Sequence, residues 1–250
     1  MINYTLEQLT ELRLHGIKNA LLEQMEQATL FTQMSFEERF SLLIDKEMSE
    51  RKNRRIKYML KNACLKYREA NINDIDYHSN RGLDKKLIQS LFLNNWLDNF
   101  HNIIITGPTG TGKTWLANAL ANHVICSGYS AQYIRISALI EELSLKRAEG
   151  NYLKWLKKIQ KIQLLILDDL GLMSLSNEQT QELLEVIESR NTTGSIIITS
   201  QLPVNEWYAY FKNPTLADAI MDRVIHNAYK INLKGESMRK IKNSIALSKI

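Results

Sequence analysis

Proline is nearly missing from this chain: there are three in 250 residues, the first at position 108. Residues 1 to 98 hold only Gly16 and Gly82 as further breakers, with Leu, Ile and Met at three- and four-residue spacings, so the spacing predicts a helical region. Cysteine is equally scarce. Cys64 and Cys126 are far apart and form no metal-ligand pattern, which excludes a zinc module or disulfide scaffold and predicts reduced core thiols. No stretch approaches about 18 consecutive apolar residues, and Glu7, Glu11, Glu23 and Glu26 punctuate the first thirty positions. Neither a membrane span nor a secretory leader is expected, and a cytoplasmic location is. No internal repeat or low-complexity linker is present either.

The chain does have unevenly distributed charge. The net charge is +5, which permits an anionic partner. Up to Glu50, nine acidic residues face four basic ones; then the sign reverses, and Arg51 to Arg68 holds eight basic residues and no acidic one. Ile56, Leu60, Ala63 and Tyr67 mark one stripe through that stretch, which predicts a basic helix docked by its apolar face. Arg51, Lys52, Arg54, Arg55, Lys57 and Lys61 are the candidate contacts to an anionic partner; were it duplex DNA, binding would run through phosphates and weaken with salt. A solvated face or a protein-docking surface is the alternative. Capping-box patterns at Thr5-x-x-Gln8 and Ser35-x-x-Glu38 predict two helix starts.

The segment Ile103-Ile-Ile-Thr-Gly-Pro-Thr-Gly-Thr-Gly-Lys-Thr114 is an apolar run followed by the pattern of a phosphate-wrapping loop. Gly107, Pro108, Thr109, Gly110, Thr111 and Gly112 offer backbone N–H donors at close range, with glycine where a Cβ would obstruct. Lys113 is expected to meet the β- and γ-phosphates and the Thr114 hydroxyl to ligate Mg²⁺, at a helix N-terminus whose dipole favours the anion.

Beyond that loop, strand and helix alternate. A helix from Thr114 stops at Gly128, followed by a strand from Ala131 to Ile136 and a helical stretch from Leu139 to about Lys161. An apolar strand, Leu164 to Leu167, ends in Asp168 and Asp169; Ser176-x-x-Gln179 caps a helix to about Arg190. Strands at Ser195 to Thr199 and Tyr229 to Leu233 make five. Near-continuous apolar runs predict a parallel α/β sheet covered on both faces. Asp168 is then the candidate metal residue and Asp169 the group that activates water. Thr199-Ser200-Gln201 ends a strand where a polar side chain would reach the γ-phosphate. Arg223 and Arg239 are candidates of another kind: an arginine set against the γ-phosphate stabilises developing charge and can be supplied by a neighbouring subunit, whereas the alternative for each is a surface salt bridge.

The phosphate loop, Leu-Asp-Asp-Leu-Gly, the segment Thr199 to Trp207, Met221-Asp-Arg-Val-Ile-His226 and Leu233-Lys-Gly-Glu-Ser-Met-Arg239 together resemble the IstB-like ATP-binding proteins, transposition helper ATPases of the AAA+ class similar to DnaC and DnaA. His15-Gly-Ile, Arg51-Lys-Asn-Arg-Arg and the stretch Asn73 to Trp96 extend the resemblance over nearly the whole chain. It implies a helical DNA- or partner-binding domain over 1–70 and an AAA+ ATPase domain over 71–250. ATP would lie at subunit interfaces of a homo-oligomer on DNA that deforms the duplex and recruits a partner transposase. By position, Asp168 is the metal residue, Asp169 the catalytic acid, Gln201 sensor 1, Arg223 the arginine finger and Arg239 a sensor 2-like arginine. Many members have Glu at Asp169 and Asn at Gln201; both changes keep the chemistry, so hydrolysis is expected. Rival readings are a DnaC-like helicase loader, a small-molecule phosphotransferase and a nucleotide-binding scaffold without turnover.

Overall fold

The computed structural model describes residues 2–77, 81–238 and 240. The chain divides into two compact units, Met1–Tyr58 and Met59–Ile250. In the first unit are α1 (Ile2–Glu11), α2 (His15–Glu26), α3 (Ala28–Phe31) and most of α4 (Phe36–Asn62). Ser35 caps α4 as its pattern predicts: its hydroxyl accepts from the Glu38 N–H at 3.2 Å, and the Glu38 carboxylate accepts from the Ser35 N–H at 2.8 Å. Thr5 caps nothing. It lies inside α1, because the apolar spacing Ile2, Leu6, Leu9 carries the helix upstream of it.

Gly16 lets α2 and α4 meet at backbone distance, since a Cβ there would stand 2.5 Å from the Glu47 Cα. Glu47 occupies the start of α2, accepting the N–H groups of Gly16 at 2.6 Å and Ile17 at 3.2 Å. A carboxylate at that end also meets the positive pole of the helix.

The second unit opens with the last turn of α4. The predicted basic helix to Arg68 ends at Asn62, because Cys64 takes a left-handed backbone (φ +52°). Residues 63–77 then cross the sheet unit as an irregular strap. Ala63 accepts from the Tyr133 N–H at 2.8 Å, while buried asparagines of the following helix fasten the rest. Asn118 accepts from the Tyr67 N–H, and Asn122 donates to the carbonyls of Arg68 and Ala70. After the strap come α5 (Lys85–Leu91), α6 (Asn95–Asp98), β1 (Asn102–Thr106), α7 (Lys113–Cys126), β2 (Ala131–Arg135), α8 (Ile136–Ala148) and α9 (Tyr152–Gln160). The order continues with β3 (Leu164–Leu170), α10 (Asn177–Arg190), β4 (Ser195–Ser200), α11 (Trp207–Phe211), α12 (Pro214–Ile225) and β5 (Ala228–Asn232).

The five strands are parallel in the order β2-β3-β4-β1-β5. Alternate side chains serve opposite faces: Ile104, Leu165, Leu167, Ile196 and Ile198 join a core with α8 to α12, and α7 packs on the sheet as well. Because β4 lies between β1 and β3, the ends of these three strands share one edge, which is where open α/β sheets collect ligands. Two local expectations fail. The helical stretch 139–161 is broken at Gly150 (φ +68°), giving α8 and α9. Both cysteines are free but exposed, Cys64 in the left-handed turn and Cys126 at the solvent end of α7.

Candidate nucleotide site

The loop between β1 and α7 is built on glycines that other residues would not replace. Gly107, Gly110 and Gly112 take φ of +144°, +85° and +95°. A Cβ on Gly107 would stand 2.2 Å from the Leu233 carbonyl oxygen, and one on Gly112 would stand 2.5 Å from Arg81 Nη2. Gly112 ends the loop in a left-handed N-cap, so α7 starts at Lys113 with its first N–H groups facing the loop. Lys113 folds back: Nζ donates to the Gly107 and Pro108 carbonyls at 2.7 and 2.9 Å. Burial pushes its ammonium pKa down, against the pull of Asp169 and Asp168.

Asp168 is fully buried and receives three hydroxyls. Thr114 Oγ1 donates to Oδ1 at 2.8 Å and Thr199 Oγ1 to the same oxygen at 2.5 Å, while the Tyr133 hydroxyl donates to Oδ2 at 2.6 Å. Burial, and then the bond to Asp168, push the Tyr133 hydroxyl pKa far up, so it stays a donor. Asp169 turns the other way. The β3–β4 register shifts between Leu167 and Leu170, and Asp169 has φ +65°, with its N–H donating to Thr199 Oγ1 at 3.0 Å. Such an irregularity re-aims one side chain; the Asp169 carboxylate enters the cleft and pairs with Arg135 at 2.7 Å. Gln201 closes the same edge, its Oε1 accepting from Thr109 Oγ1 at 2.7 Å.

A cleft of about 540 Å³ is lined among others by Arg81, Lys113, Thr114, Arg135, Asp169 and Gln201, with Asp168 buried against Thr114. The loop residues 107–114, Asp168, Asp169 and Gln201 are therefore brought together. Arg223 is not: on α12 it pairs with Glu188, with Nη2–Oε1 at 2.9 Å and Nε–Oε2 at 2.6 Å. It lines a separate groove of about 660 Å³ beside Asp222 and His226. Arg239 lies outside the described residues. Of the basic stretch, Arg51 and Arg54 lie 2.6 and 3.5 Å from Glu47, whereas Lys52, Lys57 and Lys61 are exposed. Nothing in the sequence marks Tyr133, Arg135 or Arg81, and Thr199, in a segment expected at the γ-phosphate, bonds Asp168 and the Asp169 N–H instead; the β2–β3 register, Arg135 beside Asp168, is what brings Tyr133 and Arg135 in.

The chain matches the family described as IstB-like ATP binding protein over residues 7–246. It is 41% identical over 236 residues to the insertion sequence ATP-binding protein y4pL of Sinorhizobium fredii, covering 94% of this chain and 96% of that one. With the insertion sequence IS1162 ATP-binding protein of Pseudomonas fluorescens it shares 42% over 203 residues, covering 81% and 87%. The chain belongs to the IstB-like ATP-binding family. As a member of this family the chain is an ATP-binding ATPase. Among solved structures it is similar to DnaI (TM-score 0.57, 21% identity, 71% of this chain and 94% of that one). It is also similar to the DnaC helicase loader (TM-score 0.54, 20% identity, 67% and 98%). At such identities the likeness speaks to the fold.

Proposed function

We propose that this IstB-like ATPase assembles on duplex DNA with ATP between subunits, deforms the DNA, and recruits and stimulates the transposase of its insertion sequence. The observation that carries this reading is the position of Arg223. The phosphate loop and Asp169 line the cleft and Asp168 is buried against Thr114 beside it, yet the α12 arginine is engaged by Glu188 outside the cleft lining. An arginine that does not serve its own site fits delivery to a neighbour's. The names of the relatives, as ATP-binding proteins of insertion sequences, support the transposition setting.

In this mechanism the incoming phosphates displace the Gly107 and Pro108 carbonyls as partners of Lys113, and the loop N–H groups take the remaining phosphate oxygens. Thr114 and Asp168, a hydroxyl and a carboxylate 2.8 Å apart, fit Mg²⁺ in the manner that ion prefers, with few protein oxygens and the rest from phosphate and water. When bound, it would neutralise charge building on the phosphate oxygens. Among the described residues no cluster of three His, Cys, Asp or Glu would hold a metal by itself, and the phosphates of a bound nucleotide would supply further oxygens to such an ion. Asp169 accepts the proton of a water whose oxygen attacks the γ-phosphorus as the bond to the β-phosphate oxygen breaks. Gln201 orients that water, and Arg223 of the adjoining copy meets the charge that develops.

Light scattering with and without duplex DNA and ATP, with phosphate release followed in the same samples, tests the proposal. Large DNA-bound assemblies with stimulated release are expected; a monomer indifferent to DNA overturns it, and capture of a replicative helicase would instead mark a loader. Lys113→Ala should abolish nucleotide binding. Arg223→Ala should leave binding to the monomer intact and lower assembly-dependent release by about 10³-fold; equal loss of binding in both variants would sink the trans role.

A further inference from the structure

Arg81 is a buried guanidinium in the cleft wall, with 7% of its surface exposed. It precedes Gly82 (φ +71°), whose absent Cβ would stand 2.8 Å from the Asn232 carbonyl oxygen, and its own carbonyl accepts from the Lys234 N–H at 2.8 Å. The backbone is thus fixed against the segment leaving β5. Its side chain reaches across to the phosphate loop, where Nη2 donates to the Thr111 carbonyl at 2.6 Å and would lie 2.5 Å from a Cβ on Gly112. Nε is buried and has no hydrogen-bond partner. Asp76 is the acid whose charge favours the guanidinium, against the burial that disfavours it. A buried arginine donor facing a cleft, with capacity unused, matches an oxyanion in geometry and charge.

We propose that Arg81 is a second nucleotide-binding cation, contacting the α- or β-phosphate of a nucleoside di- or triphosphate at the opposite end of the loop from the carbonyls that hold Lys113. This rests on the reading of the cleft as the nucleotide site. Lys113 bonds Gly107 and Pro108, and Gln201 bonds Thr109, so the first half of the loop is the end these γ-facing groups serve. Arg81 bonds Thr111 at the other half, where the N–H groups cradle the inner phosphates. Its contribution is then shared by ATP and ADP, unlike that of Gln201 or Asp169.

Calorimetric titration of the full chain with ATP, ADP and adenosine, at two or more salt concentrations, distinguishes this contact from a strut that only pins the loop. Arg81→Gln keeps a donor for the Thr111 carbonyl and removes the charge; Arg81→Lys keeps the charge. The glutamine variant should lose roughly tenfold or more in affinity for ATP and ADP alike, keep its melting temperature and its affinity for adenosine, and show a weaker salt dependence for ADP. The lysine variant should recover most of the loss. ADP binding by Arg81→Gln at the wild-type level, or a loss that lysine does not restore and that leaves the salt dependence unchanged, overturns the proposal. Failure of the wild-type chain itself to bind ADP or ATP would strike the nucleotide reading instead, so the two failures are separable.

Discussion

Asp168 at the edge of the sheet and Glu47 in the middle of α4 are both buried carboxylates, at 0% and 5% exposure, but their partners differ in kind. Three neutral hydroxyls surround Asp168, those of Thr114, Thr199 and Tyr133. They fill its lone pairs and orient it without cancelling its charge. Glu47 accepts two backbone N–H groups and is neutralised where it stands by Arg51 at 2.6 Å, with Arg54 at 3.5 Å. Removing a charge from water is costly unless it is paired. Glu47 is therefore a finished strut between two helices, whereas the three partners of Asp168 leave its charge in place, which fits the cation role proposed for it. Burial alone does not separate a structural acid from a functional one; the charge of its partners does.

The sharpest way to break this contrast is to remove each charge in turn. Asp168→Asn should lower ATP turnover by about 10³-fold, the worth of several kcal/mol of lost charge stabilisation. The fold should survive, because the hydroxyl partners can rotate to meet an amide. Glu47→Gln should do the reverse: turnover of the ATPase unit holds, and the first unit loses about 1–3 kcal/mol as Arg51 and the α2 N-terminus lose a charged acceptor. Phosphate release together with hydrogen exchange over residues 2–58 reads both. Unfolding in Asp168→Asn, or unchanged protection in Glu47→Gln, would erase the distinction.

Acid sharpens it further. Burial pulls the Glu47 carboxyl up, but the bond from Arg51 and the Ile17 and Gly16 N–H groups outweigh it and hold the group below its ordinary value. A carboxyl lowered on folding stabilises above its unfolded pKa, about 4.3, and that contribution fades as pH falls through the folded value. Protection of α2 and α4 should therefore drop below about pH 4, and the step should be missing from Glu47→Gln.

The two acids also differ in how far sequence reveals them. Asp168 ends an apolar run that follows a phosphate loop and one intervening strand, so local pattern suffices, as it does for the parallel strands, the loop glycines and the Ser176 capping box. Glu47 is one acid among nine before Arg51, and only the approach of α2 at Gly16 singles it out. Arg135 and Arg81 are hidden for the same reason: their partners are 34 and 30 residues away. Where local pattern misled, backbone geometry decided. Cys64 and Gly150 take positive φ and end helices that apolar spacing alone would continue.

The smallest effect concerns the basic stretch, whose eight charges are not equivalent. Arg51 and Arg54 are spent in part on Glu47, and reversing Arg54 would set an acid beside a buried acid, confusing a DNA defect with an unstable helix pair. Lys57 and Lys61 are exposed and are the cleaner choice. If each meets one phosphate, the double change Lys57→Glu, Lys61→Glu should flatten the slope of log affinity against log salt by about 2, since each contact contributes about 0.9. Melting and ATP binding should stay put. DNA binding with an unchanged slope would assign this face to protein contacts and leave Glu47 organising a partner-docking helix in place of a DNA-docking one.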